Sequence, residues 1–386
     1  MNQVSVGVVG IGGMGSHHAR NIFNGAVRNA RLAAVADINP ARLDWAKQEF
    51  GDAVNRYGTA QELFEAQDVE AVLIATPHYD HPPLAEEAFA KGLHVLVEKP
   101  AGVYTKQVRE MNEAAAQSGK IFSIMYNQRT NPVFQKLKEL IECGELGEIK
   151  RTNWIITNWY RPQSYYDSGD WRATWEGEGG GVLLNQNPHN LDLWQWTCGM
   201  PQRIRAFCHF GKHHDIEVED DVTAYVEYAN GATGVYVTST GDAPGTNRLE
   251  VTGDRGKIVV EGNRLVFWRL RVSERQFNRE FKGGFGEPES WKCEVPVSGR
   301  ETAHVGIMNN WIESILRGTP LLAPGEEGIH GLTLSNAMLL STWTDDWVEL
   351  PIDEELFYRK LQEKVERSTV QKKAGTSKTL DVTGTY

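Results

Sequence analysis

Val4-Ser5-Val6-Gly7-Val8-Val9, running straight into Gly10-Ile11-Gly12-Gly13-Met14-Gly15, is the stretch that decides the fold. A short apolar run reads as a strand buried on both faces, and residues 16–23 after the glycines read as a helix. The G-x-G-x-x-G spacing alone is weak. Its context is strong: strand before, helix after, and a second strand at 32–36 that ends in Asp37, 22 residues beyond Gly15, against the roughly 20 expected of a dinucleotide-binding unit. Gly10 makes the tight turn, Gly12 lets backbone approach a pyrophosphate, and Gly15 lets helix pack on strand. The turn Gly10, Ile11, Gly12, Gly13, Met14, Gly15 then offers the unpaired N–H groups of a helix N-terminus to the anion. Asp37 accepts from both adenosine ribose hydroxyls of NAD and repels the extra phosphate of NADP, so NAD is the expected cofactor. Arg42 is positioned to argue the other way, but its ordinary reading is a solvated arginine on a helix at 40–50.

The strand–helix rhythm continues. A strand at 71–75 ends in Thr76-Pro77, with His78 to His81 and a helix at 82–91 behind it. Another at 93–97 ends in Glu98-Lys99-Pro100; a helix at 105–118 leads to a strand at 121–126 and Asn127. Ligands of an open parallel sheet sit at the carboxyl ends of its strands. That places Thr76, Pro77, His81, Glu98, Lys99 and Asn127 on the cofactor's side. A lysine is by default a surface residue; one at a strand tip between Glu and Pro is harder to dismiss.

The length, 386 residues, calls for two domains. With 40 basic and 51 acidic residues the net charge is −11, which argues against nucleic-acid and anionic-membrane partners. No apolar run approaches the ~20 residues of a bilayer span, and residues 1–6 lack a secretory pattern, so a cytoplasmic protein is expected. Cys143, Cys198, Cys208 and Cys293 have no metal-like spacing and read as free thiols. Twelve tryptophans suit walls for sugar rings, but most read as core.

The second half begins with a helix at 132–142 and a long β-branched and aromatic strand at 149–159. Residues 160–178 read as a loop over the site, carrying Tyr160, Trp171 and Arg172. Then comes Gly179-Gly180-Gly181-Val182-Leu183-Leu184-Asn185-Gln186-Asn187-Pro188-His189-Asn190-Leu191-Asp192. In one helix, Asn185, His189 and Asp192 share a face. Pro188 leaves two readings: it opens a helix with Asn187 as N-cap, or kinks a longer one. His189 is held near a bend in both, and a buried structural histidine is the ordinary alternative to a catalytic one. Strands follow at 203–210, 222–228, 233–239, 248–252, 257–261 and 265–271, joined by turns that suggest antiparallel hairpins. Helices at 304–317 and 326–347 close the domain; 352–367 reads as an exposed charged helix and 368–386 as a mobile tail. His209, His213, His214 and Asp215 with Glu217, Glu219, Asp220 and Asp221 look superficially like metal ligands, but read as a solvated loop, one that an oligomer brings within reach of a neighbour's pocket. No metal is expected.

Taken in order, Gly10-x-Gly12-x-x-Gly15, Thr76-Pro77 with His81, Glu98-Lys99-Pro100 and Gly179-Gly180-Gly181 followed by His189-x-x-Asp192 resemble the Gfo/Idh/MocA oxidoreductases, the family of glucose-fructose oxidoreductases and inositol dehydrogenases. The resemblance runs from about residue 4 to residue 345. It implies an α/β fold: an N-terminal Rossmann domain with a doubly wound parallel sheet (1–126), and a C-terminal α+β domain with a large, mostly antiparallel open sheet (127–350), here with a C-terminal helix and tail (351–386). It implies a homodimer or homotetramer through the C-terminal sheet, and NAD-dependent oxidation of a secondary hydroxyl of a sugar, cyclitol or sugar derivative. Lys99 then stabilises the reacting oxygen and His189 accepts the proton, a role that suits an imidazole. Asp192 is a candidate to orient that ring, and Arg129, Asn127, Arg172 and Tyr160 are candidate contacts to substrate or cofactor.

The chain departs from the family pattern at Asn185, where many members carry Asp, and at Asn187, where they carry Gly. An amide takes no proton and removes a charge that would hold Lys99 protonated, which leaves His189 as the main base. The same resemblance covers NAD-dependent glycosidases, which oxidise, eliminate and re-reduce. A cofactor-binding regulator without turnover is the third reading, opposed by the intact Lys99 and His189.

Overall fold

The computed structural model describes residues 3–169 and 171–368. Six parallel strands form the first sheet: β1 (Val4–Val9), β2 (Ala30–Ala36), β3 (Asn55–Tyr57), β4 (Ala71–Ile74), β5 (His94–Val97) and β6 (Phe122–Ile124), in the order β3-β2-β1-β4-β5-β6. This is the doubly wound Rossmann order, whose switch point lies between β1 and β4. Strands β1 and β4 are apolar almost throughout because helices cover both faces; each buried Val or Leu contributes about 1.5–3 kcal/mol. Helices α1 (Gly13–Phe23), α2 (Pro40–Phe50), α3 (Ala60–Glu65), α4 (His81–Ala90) and α5 (Thr105–Ser118) make the crossovers. Local chemistry sets their starts. Asn39 caps α2 ahead of Pro40, and Thr59 with Glu62 forms a capping box on α3. The sequence reading missed β3, a three-residue edge strand without an apolar pattern.

Helix α6 (Pro132–Glu142) leads into a nine-stranded sheet of β7 (Ile149–Ile156), β8 (Arg203–Phe210), β9 (Glu219–Glu227), β10 (Thr233–Ser239), β11 (Asn247–Gly253), β12 (Gly256–Glu261), β13 (Arg264–Leu270), β14 (Ser290–Glu294) and β15 (Val348–Glu349). The order is β14-β13-β12-β11-β7-β10-β9-β8-β15, and every pair is antiparallel except β7 with β10. Burial alternates along β9, so that part of the sheet is covered on one face and open on the other. On the open face Ile155, Val237, Thr223 and Phe207 lie in one cross-strand row.

The short α7 (Gln163–Tyr166) sits inside the expected site loop. Helices α8 (Pro188–Cys198), α9 (Glu274–Glu280), α10 (Ala303–Arg317), α11 (Gly328–Thr344) and α12 (Glu354–Glu366) complete the chain. The apolar α11 packs on α5 on one side and on α8 and β8 on the other. Trp154, Trp194 and Trp311 are buried in the core, with Trp194 stacked on Tyr236. Two expectations change. Helix α12 is not simply exposed: Phe357 and Leu361 are buried, and Glu354 and Glu355 pair with Arg109 and Lys106. The acidic loop is not simply solvated either, because the buried Asp220 accepts the backbone N–H groups of Lys212, His213 and His214. All of the expected tail at 368–386 except Ser368 lies outside the described residues, and among the described residues no helix is long and apolar enough to cross a membrane.

One ion pair joins the end of the first sheet to the second half. Arg129, in the turn after β6, donates from Nε and Nη2 to the Asp192 carboxylate at 2.8 and 2.6 Å, from Nη1 to the carbonyl of Leu322 at 3.1 Å, and also to Glu327. Both Arg129 and Asp192 are fully buried. Removing one partner of such a pair strands a buried charge. We expect Asp192→Ala to lower stability by about 3–5 kcal/mol, read as a fall in the urea unfolding midpoint; an unchanged midpoint would show that the pair carries no weight.

Candidate functional site

The glycine turn is built as its spacing demands. Gly10 adopts φ +80°, and a Cβ there meets the Ala75 carbonyl at 2.8 Å; a Cβ at Gly15 lands 1.7 Å from the Gly10 carbonyl. Gly12 faces open space, with nothing within 4 Å. Two glycines are thus required by packing and the third leaves room beside the turn. Gly13 and Met14 begin α1, and the Ile11 N–H donates to Asp37 at 2.9 Å. Arg42 is not a solvated arginine: it donates to the Ile11 carbonyl at 2.7 Å and lies over Trp45.

At the strand tips, Thr76 precedes Pro77 and has a buried hydroxyl without a partner among the described residues. Asn127 is fully buried, and neither its amide nitrogen nor its amide oxygen meets one. Buried polar atoms without partners are rare in folded chains. With the open space at Gly12 and the acceptor Asp37, they fit a bound dinucleotide. His81 does not join them. Its ring spans the carbonyls of Pro100 and Thr76, both at 2.8 Å, so it braces the loops instead of facing a cofactor. Glu98 is equally committed: one oxygen meets His18 Nε2 at 2.6 Å and the other accepts the Lys99 N–H at 3.0 Å. Burial pushes this carboxyl up, but the His18 hydrogen bond and the charges of His18, His304 and Lys99 outweigh it and hold it down to about 2.

Lys99, joined to Pro100 by a cis bond, is half-buried and donates from Nζ to the Asn185 carbonyl at 3.1 Å. Burial lowers its pKa, opposed by the charges of Glu98 and Glu178 and assisted by Arg172 and Arg161. His189 lies on the first turn of α8. Its Nδ1 is buried without a partner among the described residues, and burial, then the Lys99 charge, pushes its pKa well below 6.5. The imidazole is therefore neutral, the form that accepts a proton.

Pro188 opens α8 at its first turn, so Asn185 lies in the preceding turn and is not a helical neighbour of His189. Asn187 precedes Pro188 but caps nothing with its side chain; it accepts from Tyr236 at 2.7 Å and donates to Thr238 at 2.8 Å. Asp192 does not orient the His189 ring, since its carboxylate belongs to Arg129 and Gln195. Arg129 in turn is sealed away and is no substrate contact. Tyr160 is exposed, whereas Arg172 reaches the site, donating to the Tyr165 hydroxyl at 3.0 Å.

Several site residues escaped the sequence reading. Glu178 is buried; it accepts from the Asn185 amide and, at 2.6 Å, from the Ala173 N–H. Tyr165 also accepts from Gln186 at 3.2 Å. Glu219 is fully buried, and one oxygen accepts the N–H groups of Gly181 and Leu183 at 2.9 and 3.0 Å, which fixes the turn that carries Asn185. The signal for Glu178 was its place against Gly179; Glu219 was hidden inside an acidic run.

Comparison with known proteins agrees with this geometry. Residues 4–126 match the model of an oxidoreductase family with an NAD-binding Rossmann fold, and residues 134–259 match the GFO/IDH/MocA C-terminal domain. A 1-carboxy-3-chloro-3,4-dihydroxycyclohexa-1,5-diene dehydrogenase of Comamonas testosteroni is 33% identical over 72% of this chain and 70% of its own. The chain belongs to the Gfo/Idh/MocA family. It is an NAD-dependent oxidoreductase, as its matched Rossmann domain and its relatives establish. An inositol 2-dehydrogenase of Rubrobacter xylanophilus is 26% identical, covering 88% of this chain and 91% of that one. The WlbA dehydrogenase of Bordetella pertussis, solved with NADH and UDP-GlcNAcA, superposes with a TM-score of 0.76 at 26% identity over 91% of this chain and all of that one.

Burial raises the Glu219 carboxyl to about 7, against the backbone N–H groups that favour its ion. A glutamate in the unfolded chain titrates near ~4.3, so the folded chain holds this proton more tightly. The resulting stability is present in acid, falls as pH rises through that window and is level above it. Glu219→Gln keeps an acceptor for both N–H groups and removes the fall. Between about pH 4 and pH 8 the variant should gain about 3–4 kcal/mol on the wild type, measured by urea unfolding across that range; a gain that does not vary with pH contradicts this assignment.

Proposed function

We propose that this oxidoreductase acts on a secondary hydroxyl of a sugar, cyclitol or sugar derivative, with Lys99 and His189 at the reacting oxygen. One observation carries the reading: a buried, neutral His189, whose Nδ1 has no hydrogen-bond partner among the described residues, stands in the electrostatic field of a half-buried Lys99. The relatives support the substrate class, since they include inositol 2-dehydrogenases and an enzyme solved with a sugar nucleotide.

The turn from Gly10 to Gly15, Asp37, Thr76, Pro77 and Asn127 are the residues that would hold NAD, which supplies the hydride acceptor when bound. Lys99 donates to the reacting oxygen and stabilises the negative charge that develops there. His189 takes the hydroxyl proton. The Asn185 amide cannot, but it is hydrogen-bonded to Glu178, whose carboxylate places near Lys99 the negative charge that Asn185 lacks. The buried Glu98 and its His18 partner fix the backbone of Lys99 from below. We propose also that the open face of the second sheet, with Ile155 and Phe207 exposed, is the contact between copies in a homodimer or homotetramer.

Incubation with NAD and a panel of polyols, sugars and glycosides tests the reading. Net NADH is the expected outcome; aglycone release without net NADH identifies a glycosidase instead, and binding without either identifies a regulator. His189→Ala should lose turnover by about 100-fold or more while NADH still binds by fluorescence, and unchanged turnover removes His189 from the mechanism. Asn185→Asp, which sets a second carboxyl beside Glu178 and Lys99, should move the pH profile of kcat; an unmoved profile means that position 185 does not act on Lys99.

A further inference from the structure

The wall of the site beside Asn185 is positively charged in a chain that is acidic as a whole. Tyr165 organises it. Its hydroxyl lies 3.4 Å from the Asn185 amide oxygen, and two guanidinium groups lie over its ring, Arg161 at 5.2 Å and Arg172 at 4.7 Å from the centroid. Trp159 and Trp171 extend the stack, under Arg161 at 5.5 Å and Arg172 at 4.5 Å. Both arginines act on Lys99 electrostatically, so the three cations share one region.

Among the described residues, carboxylates there are too few to balance them. Arg161 has no carboxylate partner among the described residues; its guanidinium donates to the Tyr160 carbonyl at 3.0 Å. The carboxylate paired with Arg172 is that of Glu178, at 3.9 Å, and it already accepts from Asn185 and Ala173. Other acids nearby are engaged elsewhere: Asp167 accepts from Gln163, and Asp220 is held by His214 and three backbone N–H groups. Arginines held half-buried on aromatic rings, with N–H groups to spare, form a preorganised fork for an oxyanion. A neutral polyol leaves that charge unanswered.

We propose that the substrate carries an oxyanion, the carboxylate of a sugar or cyclitol acid or the phosphate of a sugar phosphate, seated between Arg161 and Arg172 while its hydroxyl reacts at Lys99. The inference rests on the oxidation proposed above and narrows its substrate class. Lys99 and His189 act on the reacting carbon, and the two arginines, with Trp159 and Trp171 as ring platforms, fix which hydroxyl reaches them.

Calorimetric titration of the full-length protein loaded with NADH, using glucose, glucuronate and glucose 6-phosphate at low and high salt, tests it. One of the two acids should bind at least about tenfold more tightly than glucose, and high salt should narrow the difference. A preference for glucuronate assigns a carboxylate, and one for glucose 6-phosphate assigns a phosphate. In Arg172→Gln and in Arg161→Gln the ratio should fall toward one, with a melting temperature near wild type as the check on folding. Equal binding of all three sugars, binding of none, or a preference that survives both substitutions overturns the proposal. The two readings fail separately: NADH formed from neutral sugars with no acid preference defeats the anion site alone, and an anion preference without NADH from any sugar defeats the oxidation alone.

Discussion

The pair between Arg129 and Asp192 is the constraint on which the site depends. Arg129 leaves the first sheet just after β6, and Asp192 sits one turn beyond His189 on α8. Their bidentate contact, wholly out of water, fixes the start of α8 against the strand tips that carry Lys99 and Asn127. Glu327, at the start of α11, closes the junction from the third side. A buried pair is seldom worth much net stability against an apolar substitute. What it provides is register: two bonds from a planar guanidinium to one carboxylate allow little freedom in how the two halves meet.

Around that junction the charges follow a pattern. Glu98 keeps its ion in spite of burial because His18 answers it, and its second oxygen holds the backbone of Lys99. His189 stays neutral because burial and Lys99 both disfavour its cation. Glu178, the residue before the glycine run, accepts the Asn185 amide, so a carboxyl stands beside that position. Glu219 spends one oxygen on the backbone of that run and so holds Asn185 where Lys99 reaches its carbonyl.

The second sheet contributes in two ways. Its covered face supports α8, through Trp194 on Tyr236 and through the hydrogen bonds of Asn187 to Tyr236 and Thr238. Asn187 is fully buried and belongs to the core. Arg161 and Arg172, on the loop between β7 and α8, give the site its positive wall.

Much of this was legible in the chain. The Val4 to Gly15 stretch, Asp37 and the strand-end motifs dictate a Rossmann sheet, because buried parallel strands must be apolar throughout and a pyrophosphate turn needs glycine at fixed positions. The Pro188 start of α8 was one of two readings, decided by the proline's missing N–H. The short β3 and β14 were not legible, since edge strands need no apolar pattern. Arg129 and His81 looked like ligand contacts, Asp192 like a support for the His189 ring and Asn187 like a helix cap, because polar residues near a motif carry no mark of where they point. Only the fold could spend them on one another, as each became buried and had to find a partner among residues far off in sequence. Only the fold could bring Glu178 to Asn185 and gather Arg161 and Arg172 onto Tyr165. Sequence determined the elements and the cofactor, which depend on local spacing; tertiary structure decided which polar side chains remain for chemistry, because that depends on which have already been satisfied.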